Sequence, residues 1–444
     1  MLPRSTSLRE APASLGQRLL WFMDHYRGEH GALNCPIVFR LRGTLDEGAL
    51  RQALEAIIVR HDALRTTFVG RGRTLNQLIH APSPLMLQKV DVSTAADPER
   101  AWRENMKAEL QARIDPVHSP MRLTLWKLAT DHHVLCANLH HLVTDGQSYG
   151  IFVSELHQLY DRAVGIPRGL PEVEWQYTDY ARWESAQLQT PEFERHLAYW
   201  RQQLRGARMP PLPFSPKSGA STRLRETRAG ALSEEVVERL QQLARVRRAT
   251  LFSVMLSILY VLLYRITGER DLSVSSVFVN RHLPQVQHTM GFFANLLVLR
   301  VQISSSACFS DVLRSCHAMV TGAFVHQSVS YYMLPPHLMS ETDVRFDEVV
   351  FQMTRPLYQG DMGPMQVDVL AVEGVGNRFD FELTLIASRG VLTPVVSYNR
   401  SRVPPEWAHT LLAEYVRLAG HLSLHPDARI RDLDACVESR GALA

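Results

Sequence analysis

The chain has 444 residues, 45% hydrophobic and 21% charged, with a formal net charge of +3. That length exceeds the roughly 250–300 residues at which single hydrophobic cores stop growing, so two domains are expected. The even mixture of apolar and charged residues excludes long disorder, and so small a charge, with no clustering of arginine and aromatic residues, argues against a nucleic-acid partner.

Met1 to Glu10 is polar, with Arg4, Arg9 and Glu10 and no apolar run behind them, so a secretory signal is not expected. Asp46 is an N-cap for a helix whose Leu50, Ala53, Leu54, Ile57 and Ile58 recur at helical spacing, ending near Arg60 and His61. Leu64 to Val69, Thr74 to Ile79 and Pro84 to Val90 read as extended, and Asp97-Pro98 opens a helix through about Arg113. Met121 to Ala129 and His133 to Leu139 form an antiparallel hairpin about the short turn Thr130-Asp131-His132. The second of these strands runs into His140 and His141, and a helix spans Gln147 to Ala163.

Gly- and Pro-rich stretches at Gly165 to Trp175 and Met209 to Ser221 mark a boundary or crossover. Beyond them the order repeats in outline. A strand near Arg223 to Leu232, helices from Ser233 and Thr250, strands at Leu272 to Phe278 and Leu296 to Ile303 and a helix from Phe309 come first. Strands at Glu348 to Met353, Met365 to Val372, Asp380 to Ala387 and Val391 to Tyr398 precede a last helix, Pro404 to Leu422. The apolar run Leu251 to Tyr264 falls short of the roughly 20 residues a membrane span requires and reads as a core helix. The five cysteines are scattered, none at C-x-x-C spacing, which gives no metal site and fits a reducing, cytoplasmic setting. Arginine supplies 44 of the 48 basic side chains, a bias that genome composition explains before any phosphate- or acid-gripping patch does.

The run His140-His141-Leu142-Val143-Thr144-Asp145-Gly146 places a base, a carboxylate and a glycine within seven residues, at a strand end facing a helix N-terminus. Neutral imidazole, with a pKa near 6.5, takes a proton from an amine or hydroxyl at neutral pH. Helix N-terminal amides point N–H groups at developing negative charge. Asp145 either holds the imidazole directly or anchors the loop by pairing with an arginine; the second is favoured, because a buried carboxylate is stable only when paired. Gly146 is expected to permit a conformation or close approach that a side chain would block. A histidine pair alone decides little, since His132-His133 stands upstream without a motif.

Across nearly its whole length the sequence resembles the condensation domains of nonribosomal peptide synthetases. Ser14-Leu15-Gly16-Gln17-Arg18-Leu19-Leu20-Trp21 is similar to that family's first motif and Arg60-His61-Asp62-Ala63-Leu64-Arg65-Thr66-Thr67-Phe68 to its second. The histidine run is the third, Tyr177-Thr178-Asp179-Tyr180-Ala181-Arg182-Trp183 the fourth and Met290-Gly291-Phe292-Phe293-Ala294-Asn295-Leu296 the fifth. The resemblance implies a mixed α/β fold of two chloramphenicol-acetyltransferase-like halves, residues 1–175 and 176–444, in a V-shaped pseudo-dimer with a central tunnel. It implies that His141 is the general base, His140 mainly structural and Asp145 a loop anchor held by Arg281, with Gly146 completing the catalytic run. Gln17, Arg65, Ser148 and Asn295 join Arg281 as structural or tunnel-lining candidates.

Departures from the family pattern fall in the C-terminal half. His326-Gln327-Ser328-Val329-Ser330-Tyr331-Tyr332 lacks the family's Asp, Pro and Glu, no Arg-Asp-x-Ser-like run is recognisable in Val344 to Met353, and Ala294 replaces the commoner valine. The intact histidines separate the chain from heterocyclisation domains. Epimerisation domains and plant coenzyme A acyltransferases carry signatures that it lacks. The expected reaction is attack by an amine or alcohol, free or carrier-bound, on an acyl thioester, giving an amide or ester. Acyl or peptidyl carrier proteins would deliver the donor in trans on phosphopantetheine, with no permanently bound cofactor and no membrane, because no adenylation or carrier segment accompanies the motifs. Two alternatives stand beside it: an acyltransferase that uses coenzyme A, and a catalytically silent docking domain that recruits a partner to a synthetase.

Overall fold

The computed structural model describes residues 8–27, 33–71, 74–210, 212, 225–330, 333–334, 348–355, 359–370, 379–388 and 390–436. The chain divides into two compact units. The first contains Met1–Thr190, Val279–Ala294 and Leu357–Val375; the second contains Pro191–Phe278, Asn295–Pro356 and Gly376–Ala444.

In the first unit a six-stranded sheet runs in the order Gln359–Met362, Met365–Leu370, Asn34–Arg42, His132–His140, Met121–Ala129, Leu87–Asp91. Alternation along the strands assigns its two faces. Ile37, Phe39, Leu41, Leu135, Ala137 and Leu139 pack with the helices Glu47–Arg60 and Gly146–Ala163 through Leu50, Leu54, Ile57, Phe152 and Leu156. Val38, Trp126, Val134 and Cys136 instead meet Trp102, Met106 and Leu110 of the helix Pro98–Gln111. The strand His132–His140 is covered on both faces over nearly its length, so the chain reaches the histidine pair along the best-buried path in this unit. A three-stranded sheet of Arg9–Pro12, Thr74–Ile79 and Thr66–Arg71 completes it.

The second unit has a six-stranded sheet in the order Asn295–Gln302, Asp271–Phe278, Val349–Thr354, Phe381–Ser388, Val391–Asn399, Arg225–Ala229. Its core gathers the helices Glu234–Val246, Leu251–Thr267, Phe309–Val325 and Pro405–Leu424. Every residue from Ser253 to Leu263 is buried there, which is why Leu251 to Tyr264 is apolar all round. No single helix among the described residues is long and apolar enough to cross a membrane.

The side-chain caps expected at Asp46 and Asp97 are present, their carboxylates accepting from the Ala49 and Arg100 amides. The division of the chain differs from the two contiguous halves expected to meet after residue 175. Tyr177 and Tyr180, on the helix Tyr177–Gln187, lie in the first unit's apolar cluster. The strand Met365–Leu370 pairs antiparallel with Asn34–Arg42, which returns a late segment to the early sheet. Gly and Pro mark a loop; they do not say which sheet edge the chain next pairs with.

Candidate active site

The strand His132–His140 ends at His140, a single 3₁₀ turn covers His141–Val143, and the helix Gly146–Ala163 starts after Asp145. This compact turn folds the histidine run back on itself. His140 is buried, and its Nδ1 accepts from the Leu142 amide at 3.1 Å. His141 is 7% exposed, and its Nδ1 lies 2.7 Å from the Thr144 carbonyl oxygen. A carbonyl only accepts, so Nδ1 carries the hydrogen and the neutral ring holds its lone pair on Nε2. The ring of Phe292 meets that of His141 edge-on, with centroids 4.7 Å apart and an interplanar angle of 70°.

Asp145 does not hold the imidazole through any of its described bonds; it ties the loop down. Its Oδ1 accepts from the Ser148 amide at 2.8 Å, as the helix N-cap, and from Arg281 Nη2 at 3.2 Å. Its Oδ2 accepts from the Phe293 amide at 3.0 Å. Both members of the ion pair are 2% exposed at their side chains, so each satisfies a charge that would be strongly unfavourable alone. Arg281 also donates to the Val286 and Thr289 carbonyls, at 2.7 and 2.5 Å, and to Ser148 Oγ at 2.9 Å. Its guanidinium lies 3.9 Å from the Phe293 ring centroid. Arg281 is thus the arginine that the sequence analysis proposes for Asp145, and a buried one rather than a solvated loop residue.

Ser148 Oγ donates to the Gly291 carbonyl at 2.8 Å and accepts from the Gly291 amide at 3.1 Å, which stitches the first turn of the helix after the third motif to the fifth motif. Gln17 secures the loop from the other side. Its Nε2 donates to the Leu142 carbonyl at 3.0 Å and to Gln77 Oε1 at 3.2 Å, while its Oε1 accepts from the Ser14 amide at 3.0 Å.

Two candidates lie elsewhere. The described bonds of Arg65 go to the Asp62 carboxylate and the His80 carbonyl, so it braces the second motif. Asn295 belongs to the second unit, where its side chain donates to the Gln327 carbonyl at 2.6 Å. Gly146 corrects an expectation: its φ is not positive, and a Cβ built on it meets nothing within 4 Å. Neither backbone conformation nor crowding within the chain requires glycine there. Gly291 is the glycine that packing does require, since a Cβ there falls 1.9 Å from Tyr177 Cδ2. Tyr331, Tyr332 and Val344 to Asp347 lie outside the described residues.

Three contributors escaped the sequence reading. Thr144 acts through its carbonyl, which no side chain signals. Tyr177 accepts from Ser14 Oγ at 2.7 Å and donates to the Phe292 carbonyl at 2.5 Å; its full burial pushes the phenol well above its ordinary value, so it stays a donor. Glu155, on the helix Gly146–Ala163 that follows the histidine run, accepts from His61 Nε2 at 2.8 Å and from Arg60 Nε at 2.9 Å, which explains the basic pair of the second motif. Among the described residues no three His, Cys, Asp or Glu side chains gather closely enough to hold a metal ion.

The sequence matches the condensation domain family over residues 7–441. This chain belongs to that family. Chondramide synthase cmdD of Chondromyces crocatus is 32% identical over 438 residues, spanning 95% of this condensation domain and 11% of that protein. The domain therefore corresponds to about a tenth of its relative's length. Among solved structures, the X-domain from teicoplanin biosynthesis, in complex with OxyB, superposes with a TM-score of 0.85 over 99% of both chains at 23% identity. The SgcC5 protein from Streptomyces globisporus superposes with a TM-score of 0.78 at 25% identity, over 94% of this chain and 100% of that one. The mixed α/β fold, with one six-stranded sheet in each unit, is thus that of condensation and X-domain structures.

Proposed function

We propose that this condensation domain transfers an acyl group from a carrier-protein thioester to an amine or alcohol, with His141 as the general base. The observation that carries the reading is the fixed tautomer of His141, whose Nδ1–H is held by the Thr144 carbonyl. That bond leaves the ring's basic lone pair on Nε2. Asp145 and Arg281 keep the turn rigid from a buried position without competing for the imidazole proton.

In the proposed reaction the nucleophile attacks the thioester carbonyl as Nε2 takes its proton. The C–S bond then breaks, and the imidazolium returns the proton to the departing phosphopantetheine thiolate, leaving an amide or ester and a free thiol. The tetrahedral oxyanion needs N–H donors. The first amides of the helix Gly146–Ala163 have no intrahelical acceptor, and Ser148 already serves Asp145, which leaves Gly146 and Gln147 to supply them. The open space at the Gly146 Cα gives a substrate atom room to approach those amides. Orienting two substrates contributes several kcal/mol, by the argument for effective molarity, and the base adds about 10²–10⁴-fold.

A second reading is a docking domain without catalysis, favoured by the superposition on the X-domain solved with OxyB. The intact histidine run opposes it. The test offers acyl groups on carrier protein or on coenzyme A to a mixed pool of amines and alcohols, with products read by mass spectrometry. Turnover from the carrier-bound donor alone supports the proposal. Turnover from coenzyme A replaces it with a coenzyme A acyltransferase. Carrier binding without product from either donor makes docking the better account.

A further inference from the structure

The central strand of the three-stranded sheet, Thr74–Ile79, buries Leu75, Gln77 and Ile79 in alternation. That pattern calls for an apolar residue at 77; a glutamine 1% exposed stands there instead, outside all five motifs. A buried carboxamide is stable only when its hydrogen bonds are made, and those of Gln77 run in one direction. Its Nε2 donates to the Pro12 carbonyl at 2.9 Å, and its Oε1 accepts from Gln17 Nε2 at 3.2 Å. Gln17 in turn accepts from the Ser14 amide and donates to the Leu142 carbonyl at 3.0 Å. A carbonyl only accepts and a backbone amide only donates, so neither carboxamide turns over without setting like groups face to face.

This chain of bonds ends on the turn that carries His141. The bond that closes the 3₁₀ turn His141–Val143, from the Thr144 amide to the His141 carbonyl, is 3.4 Å long, beyond the ordinary range for N–H···O. The shape of the turn therefore depends on anchors outside it. Gln17 holds the Leu142 carbonyl, and two residues on the Thr144 carbonyl holds Nδ1–H of His141. Rotation of the peptide plane after Leu142 shifts Val143 and Thr144 and loosens that second bond. We infer that Gln77 is a positioning residue: by fixing the direction of the Gln17 carboxamide it holds the Leu142 carbonyl and, through it, the tautomer of His141. The inference rests on the reading of His141 as the base.

Variants at both glutamines test it. Q77M removes the carboxamide at nearly constant volume, Q17M does so one step nearer the turn, and Q17M/Q77M combines them. Long-range ¹H–¹⁵N correlation spectra give the tautomer of His141, assigned by the signals that H141A loses, and require no turnover. Steady-state kinetics with an acyl carrier-protein donor give kcat and KM. The Nδ1–H form should dominate in wild type and give way to a mixture of tautomers in Q77M, with kcat lower by about tenfold to a hundredfold and KM within about twofold. Because Gln77 acts through Gln17, the double variant should be no slower than Q17M. Q77E separates positioning from packing. Burial favours its neutral form, whose carbonyl accepts from Gln17 while its O–H donates to Pro12, so it should recover about half or more of the wild-type kcat. Q77N, a carboxamide one carbon too short to reach both partners, gives the same tautomer reading if Q77M does not fold. An unchanged tautomer overturns the inference, as does a double variant slower than Q17M by the full Q77M factor, or a Q77E slower than Q77M. A mixed tautomer with kcat unchanged removes His141 as the base, and the positioning claim falls with that reading.

Discussion

Replacing Arg281 with methionine removes one charge of a buried pair while keeping most of the side-chain volume. Asp145 would then be a carboxylate 2% exposed with no cation. Removing one member of a buried ion pair costs about 3–5 kcal/mol. Here the Ser148 and Phe293 amides still reach the carboxylate, which places the loss near the lower end, about 3 kcal/mol. The Val286 and Thr289 carbonyls lose their donors too, so the damage spreads to the turn before the fifth motif. Because two compact units need not unfold together, the assay is native-state hydrogen exchange read on the peptide spanning residues 141–152. Protection there should fall by about two orders of magnitude, the equivalent of about 3 kcal/mol. The double variant D145N/R281M removes both charges and should recover more than half of the loss. A single variant that loses less than about 1 kcal/mol, or a double variant that recovers nothing, would refute the ion pair as the clamp on this loop.

Two glycines should respond oppositely. G291A forces a Cβ to within 1.9 Å of Tyr177 and should lower the thermal midpoint markedly, by the equivalent of about 3 kcal/mol or more, with partial rescue by Y177L; G146A, with nothing within 4 Å of its Cβ, should leave stability within about 1 kcal/mol of wild type while lowering turnover if an acyl group occupies that space. The buried His157 has a pKa depressed from 6.5 to about 4, chiefly by burial and against the pull of Asp161. Its folded form therefore binds fewer protons than its unfolded form, so this contribution is fully present above pH 6.5 and is lost as pH falls toward 4. Unfolding free energies from urea titrations at pH 7.5 and pH 5 should differ by about 2 kcal/mol more in wild type than in H157Q; equal pH slopes would contradict it.

Features carried by a side chain at a fixed offset were legible in the sequence. Asp46, Asp97, Ser233 and Thr250 each announce a helix because a short side-chain oxygen reaches the amide three residues on. The need of a buried Asp145 for a cation pointed to an arginine, and the family resemblance, through the position just before the fifth motif, pointed to Arg281. The strand Asn34–Arg42, central to the first sheet, was not marked, and Pro36 in its interior is a residue that a strand interior disfavours. The structure tolerates it because Pro36 faces Asn138 on one side, while the neighbour on the other edge pairs only from Val38 onward. The missing N–H thus falls where the ladder has one partner. The interleaving of the two units was illegible for a different reason: it depends on which edge receives Met365–Leu370, a long-range choice that local pattern does not encode. Gly146 misled because glycine signals freedom in the chain, and here the open volume lies outside it.

The most direct test of the account is single-turnover acyl transfer from a carrier-protein thioester by wild type and H141A, each first shown to be folded and to bind the carrier. The account predicts product from wild type and a loss of about 10²–10⁴-fold in rate for H141A with carrier affinity unchanged. Equal rates in the two proteins would show that the imidazole fixed by Thr144 is not the base, and would contradict the account at its centre.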